Sequence, residues 1–410
     1  MSLHSIVALA DAADIAAGIT LGRKAKEKEL IDVPYLRVAN VQDGYLLLEE
    51  LKTIAATRSE IRKWALLDGD LLLTEGGDLD KLGRGACWRN QVPLCIHQNH
   101  IFRVRLPKDR YDSDYVSFQI GSPYGKAYFL AHAKKTTGIA SINQRVLGAF
   151  PLISPPIAEQ RRIASRLKAQ LAEAETARQA ALAQYESSEA LLSAIYREAF
   201  AQVVPVAVPP TFDDPPVGWQ WCKLTDVARL ESGHTPSRSR PDWWGGDVSW
   251  ISLTEIRALD GQWIESTQLR TNAAGIANSA ARILPRGTVC YSRTASVGFV
   301  AIMAKPMATS QDFANWACGD ALDPEFLMHA LIRARKELRN LATGATHKTI
   351  YMPTLESFHV CAPDVDAQRR IVRDLKQRLA EASELRASLA AQHAELAKLP
   401  QRLLAQAFEN

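Results

Sequence analysis

The sequence predicts an α+β protein built as a tandem duplication: two mixed α/β domains, each followed by one long helix, with the two helices pairing. Three observations carry this. The stretch PPIAEQRRI (155–163) returns as PDVDAQRRI (363–371), 208 residues later in a chain of 410. Each copy opens a segment without Gly or Pro, 157–204 and 364–399, and since those residues break helices, both segments read as long helices. Ahead of each lies a series of short apolar runs separated by turn residues, the pattern of a mixed sheet.

In chain order, strands are expected at 33–41, 45–48, 70–74, 101–106 and 150–154, with turns at Asp43-Gly44 and Asp68-Gly69 and a helical stretch over 114–135 before Thr137-Gly138. The first long helix ends near Val204. Pro205, Pro209, Pro210, Pro215 and Pro216 then predict a stiff, extended linker. From Gly218-Trp219 the first pattern returns. Gly18 matches Gly233, Tyr35-Leu36-Arg37 matches Trp250-Ile251-Ser252, and Gly69-Asp70-Leu71-Leu72 matches Arg286-Gly287-Thr288-Val289. Further on, Gln98-Asn99 matches Gln311-Asp312, Thr137-Gly138 matches Thr343-Gly344, and Phe150 matches Phe358. The Gly218-Trp219 opening has no counterpart before Ala8, so the first domain is expected to be slightly trimmed. The expected divisions are 1–155, 156–204, 205–363 and 364–410. The scaffold repeats while many turn residues differ, which predicts two different ligands on one fold.

The second helix carries a seven-residue repeat, with Ile371, Arg378, Leu385, Gln392 and Leu399 on one seam and Leu375, Ala382, Leu389, Leu396 and Leu403 on the other. Such heptads read as a coiled coil. Carried back by 208, the register places Ile163, Gln170, Ala177, Gln184 and Leu191 on one seam of the first helix and Leu167, Ala174, Ala181, Ser188 and Ile195 on the other. Small residues in the middle of one seam complement large ones on the other, as pairing of the two helices requires.

At 47% hydrophobic and 23% charged residues, the chain has the composition of a soluble globular protein with length for two or three domains. Asp11 and Asp14 interrupt the region where a signal peptide would need an apolar run, and no apolar run reaches ~18 residues, so a cytoplasmic protein is expected. Six cysteines without a CxxC pair predict reduced, mostly buried thiols, and His97-Gln98-Asn99-His100 lacks a second cluster to complete a metal site. The net charge of +4 is mild, yet its distribution is not. Lys81, Arg84, Arg89, Arg103, Arg105 and Lys108 occur in a window (81–108) without Asp or Glu. Arg270, Arg282, Arg286, Arg293 and Lys305 fill a second such window at the corresponding place of the repeat, and Lys126, Lys134, Lys135 and Arg145 a third (115–158). A charge run is usually a solvated face, but long windows stripped of acids suit a surface facing phosphates.

Catalytic motifs do not assemble. Asp214-Pro215-Pro216-Val217 resembles an amino-methyltransferase loop, but has Val where an aromatic is needed and no glycine-rich cofactor loop before it. Gly121-Ser122-Pro123-Tyr124-Gly125-Lys126 is one residue short of a phosphate loop, and Ala127 lacks the metal-binding hydroxyl. Asp364 with Asp374-Leu375-Lys376 superficially suits a nuclease, yet lies on the heptad helix where solvated charge is expected.

PYLRVANVQDG (34–44), DLLLTEGGDLDKLGRGACW (70–88), TGIASIN (137–143), the two Gln-Arg-Arg-Ile openings and LPQRLLAQAF (399–408) together resemble the specificity subunit of type I restriction-modification systems, over essentially the whole chain. The resemblance implies two target-recognition domains, each reading one part of a split, asymmetric DNA target, and two helices paired antiparallel as a spacer. It implies no activity and no cofactor in this chain. Two methyltransferase subunits would dock on it, bring S-adenosylmethionine and methylate adenine N6; motor-nuclease subunits using ATP and Mg would cleave unmodified DNA. A head-to-tail duplication around a pseudo-twofold axis offers two identical partners equivalent surfaces. A helix of about 40 residues spans ~60 Å, more than the ~34 Å of one DNA turn.

Guanine takes a bidentate Arg and adenine a bidentate Asn or Gln, which directs attention to polar residues beside turns in the basic windows. The candidates in the first domain are Arg37, Asn40, Glu75, Lys81, Arg84, Gln98, Asn99, Lys134 and Lys135. In the second they are Arg238, Arg240, Trp243, Trp244, Arg293, Thr294, His347 and Lys348. Two other classes remain open: a self-contained DNA methyltransferase-like protein, which S-adenosylmethionine binding would reveal, and a purely structural coiled-coil adaptor, which salt-dependent DNA binding would exclude.

Overall fold

A computed structural model describes residues 5–22, 29–77, 82–136, 139–210, 212–344 and 347–408. The chain divides into two compact units, residues 1–182 with 391–410, and residues 183–390. The long helices are Ile157–Ala199 and Val365–Phe408, and each contributes one part to either unit. No described helix is long and apolar enough to cross a membrane.

The two units repeat one topology. In the first, Asp14–Ala17, Ile101–Arg105, Leu71–Thr74 and Gly85–Cys87 form a sheet in that order. In the second, Ala228–Ser232, Phe313–Cys318, Val289–Ser292 and Val300–Met303 repeat it, extended by Trp263–Ile264. A smaller sheet recurs too. Tyr35 and Leu36 pair in parallel with Ile96 and His97, as Trp250 and Ile251 pair with Ala308 and Thr309. These pairings align Gln98-Asn99 with Ser310-Gln311, one residue from the expected match. Strand Leu71–Thr74 likewise aligns with Val289–Ser292, so that Gly69 matches Gly287; both turn glycines have positive φ, 92° and 85°. Gly18 and Gly233 do correspond. A Cβ on Gly18 would lie 1.9 Å from the His97 carbonyl oxygen and one on Gly233 2.2 Å from that of Ser310, so each marks a close approach of two backbones.

Several local expectations change. Residues 45–48 form no strand, and 114–135 is two helices, Ser113–Gly121 and Pro123–His132, divided where Ser122 caps the second and Pro123 occupies its first turn. The first long helix stops at Ala199 because Ala201 and Gln202 turn to positive φ. The proline segment is no free linker: Val206–Ala207 adds a strand beside His359–Ala362, and Phe212 stacks on Trp221. Thr137 and Gly138 lie outside the described residues.

The repeated glutamine of Gln-Arg-Arg-Ile is a buried clamp. Gln160 accepts from the Asp112 N–H (3.0 Å) and donates to the Arg110 (3.2 Å) and Pro155 (2.8 Å) carbonyls. Gln368 makes the same three bonds, to the Asp323 N–H (2.9 Å) and the Ala321 (3.1 Å) and Pro363 (2.9 Å) carbonyls. Asp112 and Asp323 in turn cap the N-termini of Ser113–Gly121 and Pro324–Arg333. One side chain per unit therefore fixes the long helix against its domain.

The inward stripe of each long helix is half right in the sequence reading. Leu167, Ala174, Ala181, Ser188 and Ile195 are buried, as are Leu375 and Ala382, while Leu389, Leu396 and Leu403 are half-buried. The second seam lies one residue later than expected: Ala164, Leu171, Arg178, Tyr185 and Leu192 in the first helix; Val372, Leu379, Arg386, His393 and Pro400 in the second. Leu191 and Leu385 consequently stand 40% and 49% exposed, and Ile163 and Ile371 flank the stripe half-buried. The apolar Leu385 and Leu399 pointed to the wrong neighbour of the Leu375 line, since the true line is filled by Arg, His and Pro. Within the second unit the helices run antiparallel. Arg378 meets Glu198 at 2.6 Å, and Arg386 pairs with Glu189 while its guanidinium lies 5.3 Å over the Tyr185 ring. In the first unit Leu404 and Phe408 share a core with Ala164, Leu167 and Tyr115.

Candidate nucleic-acid interface

The first acid-free window is largely neutralised by acids from elsewhere, and one basic residue in each of the other two is paired as well. Arg89 pairs with Asp114, Arg103 with Asp14, Arg105 with Asp70 (2.7 Å), Lys108 with Asp68 (2.9 Å), Lys126 with Asp43 (2.7 Å) and Arg282 with Glu231 (2.6 Å). In residues 81–108 the run of basic residues in sequence is thus not a basic surface in space, and the candidates separate accordingly.

In the first unit, Asn40 is only 3% exposed and closes a turn: it accepts from the Arg37 N–H (2.8 Å) and donates to the Leu47 carbonyl (2.8 Å), so it is a structural residue and not a base reader. The Arg37 guanidinium donates to the Glu50 carbonyl (3.2 Å) and that of Arg84 to Gln42 Oε1 (3.1 Å), which anchors both within the fold. Glu75 is engaged by His100 at 2.5 Å. Gln98 and Asn99 are half-buried, with no side-chain hydrogen bond among the described residues, on the turn that pairs with Ile19. Lys134 is exposed on the strand Lys134–Thr136, which pairs with Ile139–Ser141, and that strand pairs in turn with Gly76–Gly77. Lys135 is described only as the strand partner of Ala140, and Lys81 lies outside the described residues. Next to this turn, burial pushes the His97 imidazole down to about 4, with its Nδ1 3.0 Å from the Ile101 carbonyl.

In the second unit four candidates converge. An isolated bridge joins Thr294 to Thr349, and the Ala295 N–H donates to the Lys348 carbonyl (2.9 Å), so the loop carrying Arg293 and Thr294 lies against the one carrying His347 and Lys348. The Arg293 guanidinium is tied down by the Gln311 carbonyl (2.8 Å). Beside these loops opens a 510 Å³ cavity lined by Phe299, Arg257, Arg339 and Lys348, with no carboxylate among its lining residues. Arg257 Nε donates to the buried Ser296 hydroxyl (3.0 Å) and Arg339 Nε to the Val297 carbonyl (2.8 Å), each held by one edge. Three cations around one opening suit an anion. Nothing in the sequence singles out Arg257 or Arg339: both lie in stretches of mixed charge, and only the fold brings them to Lys348. Arg240 is closed by Asp242 (3.0 and 2.9 Å) and stacks over Trp243. Arg238 lies over Trp244, with no ion pair among the described residues.

Among the described residues no group of three or more His, Cys, Asp or Glu is placed to hold a metal. All six cysteines are unpaired, and burial raises the thiols of Cys87, Cys95 and Cys318 to about 12. No reactive thiolate arises there.

A family model, the type I restriction modification DNA specificity domain, matches residues 216–392. The MjaIX specificity subunit of Methanocaldococcus jannaschii is 26% identical over 159 residues, 38% of this chain and 37% of that protein. A putative MjaX specificity subunit of the same organism is 21% identical over 368 residues, 88% of this chain and 84% of that one. The chain is thus similar to type I specificity subunits, through the domain at residues 216–392 and through the MjaX likeness. The match to MjaIX spans little more than a third of that relative's length, whereas the likeness to MjaX runs through both halves. The specificity-subunit fold is shared with the HsdS subunit of Thermoanaerobacter tengcongensis at a TM-score of 0.70 and 18% identity, over 100% of this chain and 97% of that one.

Proposed function

We propose that this chain is the sequence-specific DNA-binding subunit of a type I restriction-modification complex, each half reading one part of a bipartite, asymmetric target. The observation that carries the reading is the duplicated scaffold with unlike surfaces: both units repeat the Gln160/Gln368 clamp and the strand order, while their exposed loops carry different side chains. Identical scaffolds with different loops fit two different half-sites. The domains 1–155 and 205–363 would do the reading. The helices 156–204 and 364–410 would act as an antiparallel coiled-coil spacer and as a platform for two methyltransferase subunits, which bring S-adenosylmethionine and modify adenine N6. Restriction motor-nuclease subunits would join with ATP and Mg, leaving this chain non-catalytic and without a cofactor.

The Arg257, Arg339 and Lys348 cavity is assigned to the DNA backbone, where cations position the protein without reading sequence. Filter binding of a duplex across a salt series tests this. Arg257→Ala and Lys348→Ala should each lower the salt slope by about one and weaken all sequences alike. Slopes unchanged in both variants would remove the cavity from the interface, and salt-independent binding by the unaltered chain would count against DNA recognition itself.

A further inference from the structure

The second unit holds another basic cluster, away from that cavity, around Arg238. Its guanidinium lies 5.7 Å from the centroid of Trp244 and 5.9 Å from that of Trp250, within reach of cation–π attraction to both rings. The two indoles meet edge to face, with centroids 5.1 Å apart and planes at 89°. Neither indole is free to move: Trp244 Nε1 donates to the Ser237 carbonyl (3.2 Å) and Trp250 Nε1 to that of His234 (3.1 Å), so both are bonded to the loop that carries Arg238. Behind the loop Gly246 packs so closely that a Cβ would meet Asn272 at 2.5 Å, which pins the backbone as well.

The loop holds two arginines with opposite fates. Asp242 takes both edges of Arg240, whereas Arg238 is exposed and makes no hydrogen bond or ion pair among the described residues. Arg238 instead fronts a 410 Å³ cavity lined by Trp244, Gly245, Gln268, Leu269 and Arg270, again without a carboxylate. A long side chain normally loses rotamer freedom when it is fixed on a ligand; cation–π attraction to two hydrogen-bonded rings restricts it before any ligand arrives. A phosphate contact needs neither this order nor a recess, since a mobile lysine on a flat surface makes it. An ordered planar fork at the mouth of a recess with an amide and an apolar wall matches the edge of a base, and O6 with N7 of guanine is the edge that accepts two parallel N–H donors.

We propose that Arg238 reads a guanine in the half-site recognised by the second domain, with Trp244 and Trp250 as its positioning frame. The proposal rests on the DNA-recognition reading above. Its test is selection and sequencing of bound duplexes from a random pool, using the full chain in complex with its methyltransferase partner. The unaltered complex should select a motif with a fixed G·C pair in one half. Arg238→Ala should lose roughly 10- to 100-fold of the preference at that one pair and leave the other half untouched. Arg238→Lys, which keeps the charge and is equally exposed, should lose the same preference while retaining most of the affinity. Arg240→Ala should select the unaltered motif. A motif unchanged in both Arg238 variants, whether with uniformly weaker or equal binding, overturns the guanine assignment alone. If the unaltered complex selects no motif, the DNA-recognition reading falls and takes the proposal with it.

Discussion

Replacing Gln368 with Leu tests whether the repeated glutamine is the residue that fixes each long helix to its domain. The substitution nearly preserves side-chain size but strands the Asp323 N–H and the Ala321 and Pro363 carbonyls, all now paired with one buried amide. An unpaired buried group costs about 1–3 kcal/mol, and a carbonyl with a second lone pair sits at the low end. The expected loss is therefore about 3–5 kcal/mol, a large part of the 5–15 kcal/mol typical of a folded domain. Gln160→Leu should cost a similar amount, because its three bonds have the same partners at the equivalent places. Urea unfolding gives the magnitude and hydrogen exchange gives the location. Protection should fall first in Pro324–Arg333 for Gln368→Leu and in Ser113–Gly121 for Gln160→Leu. The neighbouring Arg370, exposed on the same helix, serves as a control: Arg370→Leu should change stability by less than about 0.5 kcal/mol. A loss below about 1 kcal/mol in both glutamine variants, or a loss without local exchange, would refute the clamp.

Three further outcomes follow from the same geometry. Burial lowers His97 and His329 from 6.5 to about 4, so the unfolded chain takes up protons first; stability is full above pH 6.5 and falls as the pH drops towards 4, by up to about 3 kcal/mol for each histidine. Urea midpoints between pH 7 and 4 check this, and a flat profile would contradict it. Four residues inserted between Gln179 and Tyr185 add ~6 Å of helix and a little over one full turn, so the gap between half-sites should grow by one or two base pairs; two residues turn the stripe by about 200° and should carry Leu192 and Ile195 off Leu375 and Ala382, with loss of activity. Methylation mapping reads both insertions, and an unchanged gap in the active four-residue variant would falsify the spacer role. Exchanging residues 1–155 for the first domain of another family member should alter one part of the target only, by the same mapping; a change in both parts would contradict the division of labour.

How much was legible in the sequence depended on whether a feature was local or long-range. The duplication and both long helices were plain, because a Gln-Arg-Arg-Ile run at the start of an unbroken helix is a local signal. One seam was right because Leu375 and Ala382 mark it, but its partner line was displaced by one residue because Arg386, His393 and Pro400 do not look like core. Arg386 can sit there because Glu189 and the Tyr185 ring receive it. The helix Arg58–Trp64 went unread although Thr57 and Glu60 form a capping box that the sequence displays. The basic window 81–108 overstated the surface charge for a different reason. Charge counted along the chain ignores Asp14, Asp43, Asp68, Asp70 and Asp114, which fold back onto it. Conversely, Arg257 and Arg339 reach Lys348 only through the tertiary fold, and Arg238 differs from Arg240 only by which of them Asp242 reaches.

In the proposed function one duplicated scaffold reads two unlike half-sites. Single-molecule methylation mapping of a genome in which the chain is expressed with its methyltransferase partner measures it directly. The account predicts methylated adenines within a single asymmetric motif of two specified parts separated by an unspecified gap of fixed length, and loss of that motif when this chain is deleted. A continuous motif, a palindromic one, or methylation that persists without this chain would contradict it.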